Sequence, residues 1–133
     1  MKNIIFAGIA IAALAAWPAL AGGLNGKVVE CDNAGVLSTI DSRFDLAFLN
    51  KDEIAIESIS KVHQHRLVEA TKRSPIARRY CGAVAIMSDG KTRTIWYLIE
   101  DGMGLAGIGD NVEFCVSVLD PMKAYDGRCR VLK

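Results

Sequence analysis

RYCGAVAIMSDGKTRTIWYLIE, running from Arg79 to Glu100, is the stretch that decides the fold. Two apolar runs, Arg79 to Ser88 and Lys91 to Glu100, flank Asp89-Gly90, a dipeptide that readily takes the positive φ angles of a two-residue hairpin turn. The runs are therefore expected to pair antiparallel. With such a turn Val84 opposes Ile95 and Gly82 opposes Tyr97 on one face, while Ala83 opposes Trp96 and Cys81 opposes Leu98 on the other. Both faces are apolar, so something must cover each of them.

Downstream, the glycine-rich stretch Gly102 to Gly109 leads into Asn111 to Leu119, where Val112, Phe114, Val116 and Val118 alternate with Asn111, Glu113, Cys115 and Ser117. That period of two predicts a further strand. Upstream, Asp32 and Asn33 are good helix caps, and Val36, Leu37, Ile40, Phe44, Ala47 and Phe48 recur at spacings of three and four. The spacing predicts one long amphipathic helix from Ala34 to Leu49, ending near Asn50. Ile54 to Gln64 fits a strand or a helix, its Ile, Val and Ser content favouring a strand. Arg66 to Ala77, basic and containing Ser74-Pro75, reads as an exposed connection. One helix packed on a three- to four-stranded antiparallel sheet is an α+β domain, the helix covering one face and the tail from Asp120 to Lys133 the other.

The chain starts with Lys2, an apolar run from Ile4 to Ala16, and Ala19-Leu20-Ala21, the pattern of a cleaved secretory signal. Thirteen apolar residues fall short of the roughly 20 that span a bilayer. Residues 1–21 are thus expected to be removed, leaving 22–133 as a single exported domain with no stable membrane insertion. In an oxidising compartment Cys31, Cys81, Cys115 and Cys129 read as two disulfides. Cys115 sits on the polar side of its strand, where Cys129 could tie the tail; Cys31 would then meet Cys81. Four cysteines permit three pairings, and spacing alone selects none of them.

Without the leader, fifteen Lys and Arg balance fifteen Asp and Glu, so no global charge points to nucleic acid. The charges are segregated nonetheless: Lys61 to Arg93 holds eight bases and two acids, while Thr94 to Asp120 holds five acids and no base. The plain reading is neutralisation between neighbouring segments. The sharper one makes Lys72, Arg73, Arg78 and Arg79 a basic patch for an acidic partner or an anionic envelope surface.

Motifs for chemistry are sparse. The cysteines lack the paired C-x-x-C spacing of a zinc ribbon. His63 and His65 would share one face of a strand and could hold a metal with a nearby carboxylate, although two exposed polar residues at a strand end is the simpler account. Gly102, Gly104 and Gly107 match G-x-G-x-x-G formally, yet the stretch joins two strands and opens no amphipathic helix, so a connection needing positive φ explains it better. No G-x-S-x-G elbow occurs. Glu100, Asp101 and Asp110 flank the glycine stretch and could converge as an acid and base pair. Solvated loop carboxylates are the plainer alternative.

The pattern Arg79-Tyr80-Cys81, Ser88-Asp89-Gly90, Tyr97-x-Ile99, Ala106-Gly107-x-Gly109 and Val112-Glu113-x-Cys115 resembles an uncharacterised family of small secreted bacterial proteins, over about residues 79–117. The helix-then-sheet order is similar to cystatin-like and NTF2-like rolls. The resemblance implies a fold and a compartment, and no catalytic residues. Together these readings point to a non-catalytic periplasmic or secreted module without cofactor or metal. Its expected role is protein-binding, accessory or of inhibitor or immunity type, with a surface built from Tyr80, Trp96, Tyr97, Arg78 and Arg79 and an envelope or periplasmic protein as partner. The alternative is a small-ligand or hydrolytic pocket using the acids beside 102–109.

Overall fold

The structure, a computed structural model, describes residues 27–47, 53–119 and 124–133. The leader expected at 1–21, and the expected helix end at Phe48 to Asn50, lie outside the described residues. The elements are α1 (Ala34–Asp45), β1 (Ile56–Val68), β2 (Arg78–Met87), β3 (Thr92–Glu100) and β4 (Asn111–Val116), with 3₁₀ turns at Leu105–Gly107 and Arg130–Leu132. The strands form one antiparallel sheet in the order β1-β2-β3-β4, so the chain is α+β. Among the described residues no helix is long and apolar enough to cross a membrane.

Asn33 starts α1, its side-chain oxygen accepting from the backbone N–H groups of Gly35 at 2.9 Å and Val36 at 3.3 Å. Those donors have no partner inside the helix, which is why an Asx residue is favoured there. Val36, Ile40 and Phe44 make the buried stripe. The helix is shorter than its periodicity suggested, twelve residues, and closes at Leu46. Leu46 is 83% exposed and adds nothing to the buried stripe. Arg43 in the last turn donates to the Val112 carbonyl at 2.6 Å, satisfying an acceptor of edge strand β4.

The hairpin forms, in a register one residue away from the expected one. Gly82 faces Trp96, Ala83 faces Ile95, Cys81 faces Tyr97 and Val84 faces Thr94. The cause is the turn, which uses three residues, Ser88, Asp89 and Gly90, between Met87 and Lys91. Met87 N–H bonds the Lys91 carbonyl at 3.0 Å, and Gly90 sits at φ +76°. A three-residue loop with glycine in the left-handed region is the next commonest hairpin solution after the two-residue turn. Asp89 selects it by accepting from Lys91 N–H and by a two-pronged pair with Arg93 at 3.0 and 2.8 Å. That pairing, chiefly its side-chain hydrogen bond, lowers the Asp89 carboxyl to about 2 and raises Arg93.

The corrected register sends Cys81, Ala83, Ala85, Met87, Ile95, Tyr97 and Ile99 to an inner face under α1, joined by Val112 and Val116. The helix makes its nearest backbone approaches to the two edge strands, so the sheet curves up on both sides of it. The ambiguous segment 54–64 is strand, and pairing continues to Val68, taking Arg66 out of the expected loop. β1 is interrupted by irregularities at Ser60/His63 and Gln64/Arg66, which twist this edge and protect it from pairing with another chain. β4 ends at Val116, short of the expected Leu119.

Both disulfides are present, Cys31–Cys81 and Cys115–Cys129, with no free cysteine among the described residues. Such bridges belong to an oxidising environment. The first fastens the segment ahead of α1 to the inner face. The second fastens the tail to the outer face, where Cys129 and Leu132 are buried with Leu98 and Cys115.

Candidate functional site

The site begins with alternation along β2 and β3. Once Gly82 faces Trp96, side chains two residues away share its side of the sheet, so Tyr80, Trp96 and Leu98 stand together on the outer face. β1 pairs His63 with Gly82 and Arg66 with Tyr80, and the irregularity between Gln64 and Arg66 brings His65 in as well. Gly82 makes room there: a Cβ would lie 2.8 Å from the His63 ring and 3.0 Å from Trp96 Cζ3, so a larger residue would push the rings aside. The missing side chain lets imidazole and indole meet over the strand.

The result is one connected cluster. Trp96 takes His65 edge-on at 5.2 Å between ring centroids and His63 edge-on at 6.3 Å. His65 also meets Tyr80 at 6.1 Å, and the Arg66 guanidinium lies 3.6 Å above the Tyr80 ring. From the tail, Lys133 places its ammonium 5.7 Å from the centre of Trp96, and the Leu132 carbonyl lies 3.2 Å from His65 Nε2. His63 Nδ1 lies 3.0 Å from the Lys61 carbonyl. Packing against the rings desolvates the inner edge of His65 and lowers its pKa, the Leu132 carbonyl opposing this and the charges of Arg66 and His63 reinforcing it. Trp96 and Tyr80 remain half-buried; His63, His65, Arg66 and Lys133 are exposed around them. Each cation over a ring contributes about 0.5–1 kcal/mol at such depth, enough to orient the side chains without closing the surface.

Of the residues expected to form a contact surface, Tyr80 and Trp96 lie here. Tyr97 and Arg79 do not: they point to the inner face and are buried. Tyr97 donates its hydroxyl to the Cys31 carbonyl at 2.8 Å, and burial, followed by the charge of Asp32, pushes the phenol upward. Arg79 clamps the segment before α1, donating to the Val28 carbonyl at 3.1 Å, to Glu30 at 3.0 Å and to Gln64. Arg78 is paired with Glu100 at 2.9 Å. The basic patch expected at Lys72, Arg73, Arg78 and Arg79 is thus split, two members being spent on internal pairs. A one-residue change of register explains Tyr97, since it exchanges the two faces of a strand.

The acids beside the glycine connection are also held. Glu100 accepts from Arg78 and, at 3.2 Å, from Asn111. Asp110 uses both oxygens on backbone, accepting from Gly102 N–H at 3.1 Å and Val29 N–H at 3.3 Å. Asp101 is raised above the ordinary carboxylate range, by burial first and then by Asp110. Near them a shallow open cleft of about 170 Å³ is lined by Val29, Asn33, Val36, Thr39, Asp110 and Val112. Among the described residues no three His, Cys, Asp or Glu side chains are grouped as metal ligands would be.

His65, Arg66 and Lys133 were not singled out as contact residues from sequence. The alternation of His63 and His65 on a strand paired with β2 was the available signal for His65. Lys133 carries none, because only the Cys115–Cys129 bridge brings it there. In comparisons with protein-family models, curated proteins and solved structures, the chain has no match in any of the three.

Proposed function

We propose that this chain is an exported, periplasmic or secreted protein-binding module, accessory or of inhibitor or immunity type, that holds its partner against the outer face of the sheet. One observation carries the reading: the half-buried pair Trp96 and Tyr80, ringed by His63, His65, Arg66 and Lys133, on a face that the bridged tail covers only in part. Aromatic residues and arginine are the side chains most enriched where proteins bind one another, because they bury much area at small entropic cost. The ring of cations favours a partner segment rich in carboxylates, whose charge meets Arg66 and Lys133 while its apolar atoms cover the indole. Nothing in this reading requires bond-making chemistry.

The test is capture from periplasmic extract with mass-spectrometric identification, followed by titration of the purified partner. Trp96→Ala and Tyr80→Ala are each expected to weaken binding by tenfold or more, on the order of the 2 kcal/mol of a central contact residue. Unfolding curves establish that the variants are folded. A partner held equally well by the folded double variant would overturn the assignment.

A second reading, a small-ligand or hydrolytic pocket at the acids beside 102–109, has the raised Asp101 carboxyl next to Asp110 in its favour. The backbone bonds on Asp110, and a cleft well below the roughly 300 Å³ of ordinary ligand pockets, weigh against it.

A further inference from the structure

We propose that the end of the molecule bearing the Gly102–Gly109 connection docks reversibly on an anionic lipid surface, with Leu105 and Ile108 entering the headgroup region. From Gly102 to Gly109 the chain carries no charged side chain, and it presents Leu105 at 93%, Ile108 at 80% and Met103 at 47% exposure. Three large apolar groups on eight residues of exposed loop are a liability in water unless something takes them up.

The connection is a folded projection. Gly104 N–H bonds the Gly109 carbonyl at 2.9 Å, Gly107 N–H bonds the Gly104 carbonyl at 2.9 Å, and Ile108 N–H bonds the Leu105 carbonyl at 3.2 Å. Ala106 and Gly107 both sit at positive φ, and a Cβ on Gly104 would run into the Ile108 carbonyl. Asp110 pins the base through Gly102 N–H. From Gly104 to Gly109 three of the six N–H groups and three of the six carbonyls are paired in this way, which lowers part of the cost of moving the tip out of water. A short folded loop that presents Leu105 and Ile108 almost fully to solvent suits shallow penetration of a soft interface.

Charge at the same end agrees with an anionic surface. The meander places the 69–77 and 101–110 connections side by side, joined by Asp101 N–H to the Ala77 carbonyl at 3.0 Å. Lys72 and Arg73 are exposed on the first of these, and Lys27 is exposed where the described chain begins, two residues before the Val29–Asp110 bond. Glu30 is paired with Arg79, Glu100 with Arg78, and Asp110 is held by backbone, while Glu69 and Asp32 are exposed and Asp101 is half-buried.

The test uses protein recovered from the periplasm, its N-terminus read by mass spectrometry, floated with vesicles of phosphatidylcholine alone or with about one-third phosphatidylglycerol. Leu105→Asp with Ile108→Asp is expected to cut binding to the mixed vesicles by tenfold or more. Lys72→Glu with Arg73→Glu should cut it by about fivefold per charge at low salt and little at high salt. Both pairs are exposed, so unchanged unfolding curves are expected. Leu105→Trp adds a direct readout, a blue-shifted emission quenched by lipids brominated in the acyl chain. Flotation of the double-aspartate variant equal to that of the unaltered chain, or Leu105→Trp emission unmoved by vesicles, would overturn the proposal. So would loss of a purified protein partner, and not of vesicles, on changing the loop.

Discussion

On the inner face of the sheet the cover is a helix together with the segment Val28 to Cys31, and Ile40, Tyr97 and Ile99 lose all contact with solvent. On the outer face the cover is a stretch of tail around Cys129 and Leu132, held by one bridge, and Trp96 and Tyr80 stay half-open. The same hairpin supplies both surfaces. The covers differ in what attaches them: Tyr97, Arg79 and Cys31–Cys81 tie the segment ahead of α1 to the inner face, while Cys115–Cys129, the His65–Leu132 bond and Lys133 over Trp96 are among the contacts that tie the tail to the outer one. A sealed face stabilises the domain, and a partly covered one keeps aromatic area available for contact.

The largest effects break the comparison at its bridges. Replacing Cys31 and Cys81 by Ala opens a loop of 50 residues and should cost about 4 kcal/mol; replacing Cys115 and Cys129 opens one of 14 and should cost about 3 kcal/mol. Urea unfolding measures both, and only the second pair should also alter Trp96 fluorescence in the folded state. Next come single truncations: Ile40→Ala should cost about 3 kcal/mol, and Leu132→Ala about 2 kcal/mol because the tail can settle into the space left behind. Equal costs would mean that the outer cover is as firmly fixed as the inner one.

Tyr97→Phe sharpens the inner side, with an expected loss of about 1–2 kcal/mol from the unpaired Cys31 carbonyl. The phenol is pushed upward in the folded chain, so above the unfolded value of about 10 the unfolded state sheds a proton that the folded state keeps, and stability falls as pH rises. Alkaline unfolding curves should show that fall in the unaltered chain and a weaker one in Tyr97→Phe. Gly82→Ala tests the outer side: the added methyl should displace the His63 ring, costing about 1 kcal/mol and shifting Trp96 emission. The smallest effect belongs to the turn. Asp89 is held at about 2, so its contribution is present above about pH 4 and is lost as pH falls through 2, a slope that Asp89→Asn should flatten.

Much of this arrangement was readable from residue order. The hairpin, the Asn33 cap and the polar placement of Cys115 all follow from local chemistry, and the observed bridges agree with the pairing built on that placement. The register was not readable, because Asp-Gly serves two- and three-residue turns alike and the choice rests on bonds from Asp89 to Lys91 and Arg93. That single residue of difference sent Tyr97 inward. The cluster on the outer face was half visible: Tyr80 and Trp96 stood out as apolar surface, while Arg66 and Lys133 arrive through a strand irregularity and a tail fold that no periodicity encodes.

The bridges join the first cysteine to the second and the third to the fourth. A chain threaded N-terminus first into an oxidant presents Cys31, then Cys81, and only afterwards Cys115 and Cys129. Oxidation in order of arrival therefore yields the native pairs, and no wrong bridge has to be opened by thiol exchange. For a chain exported in that way, crossed or nested pairing would call on an isomerase to correct early bridges, whereas consecutive pairing would not.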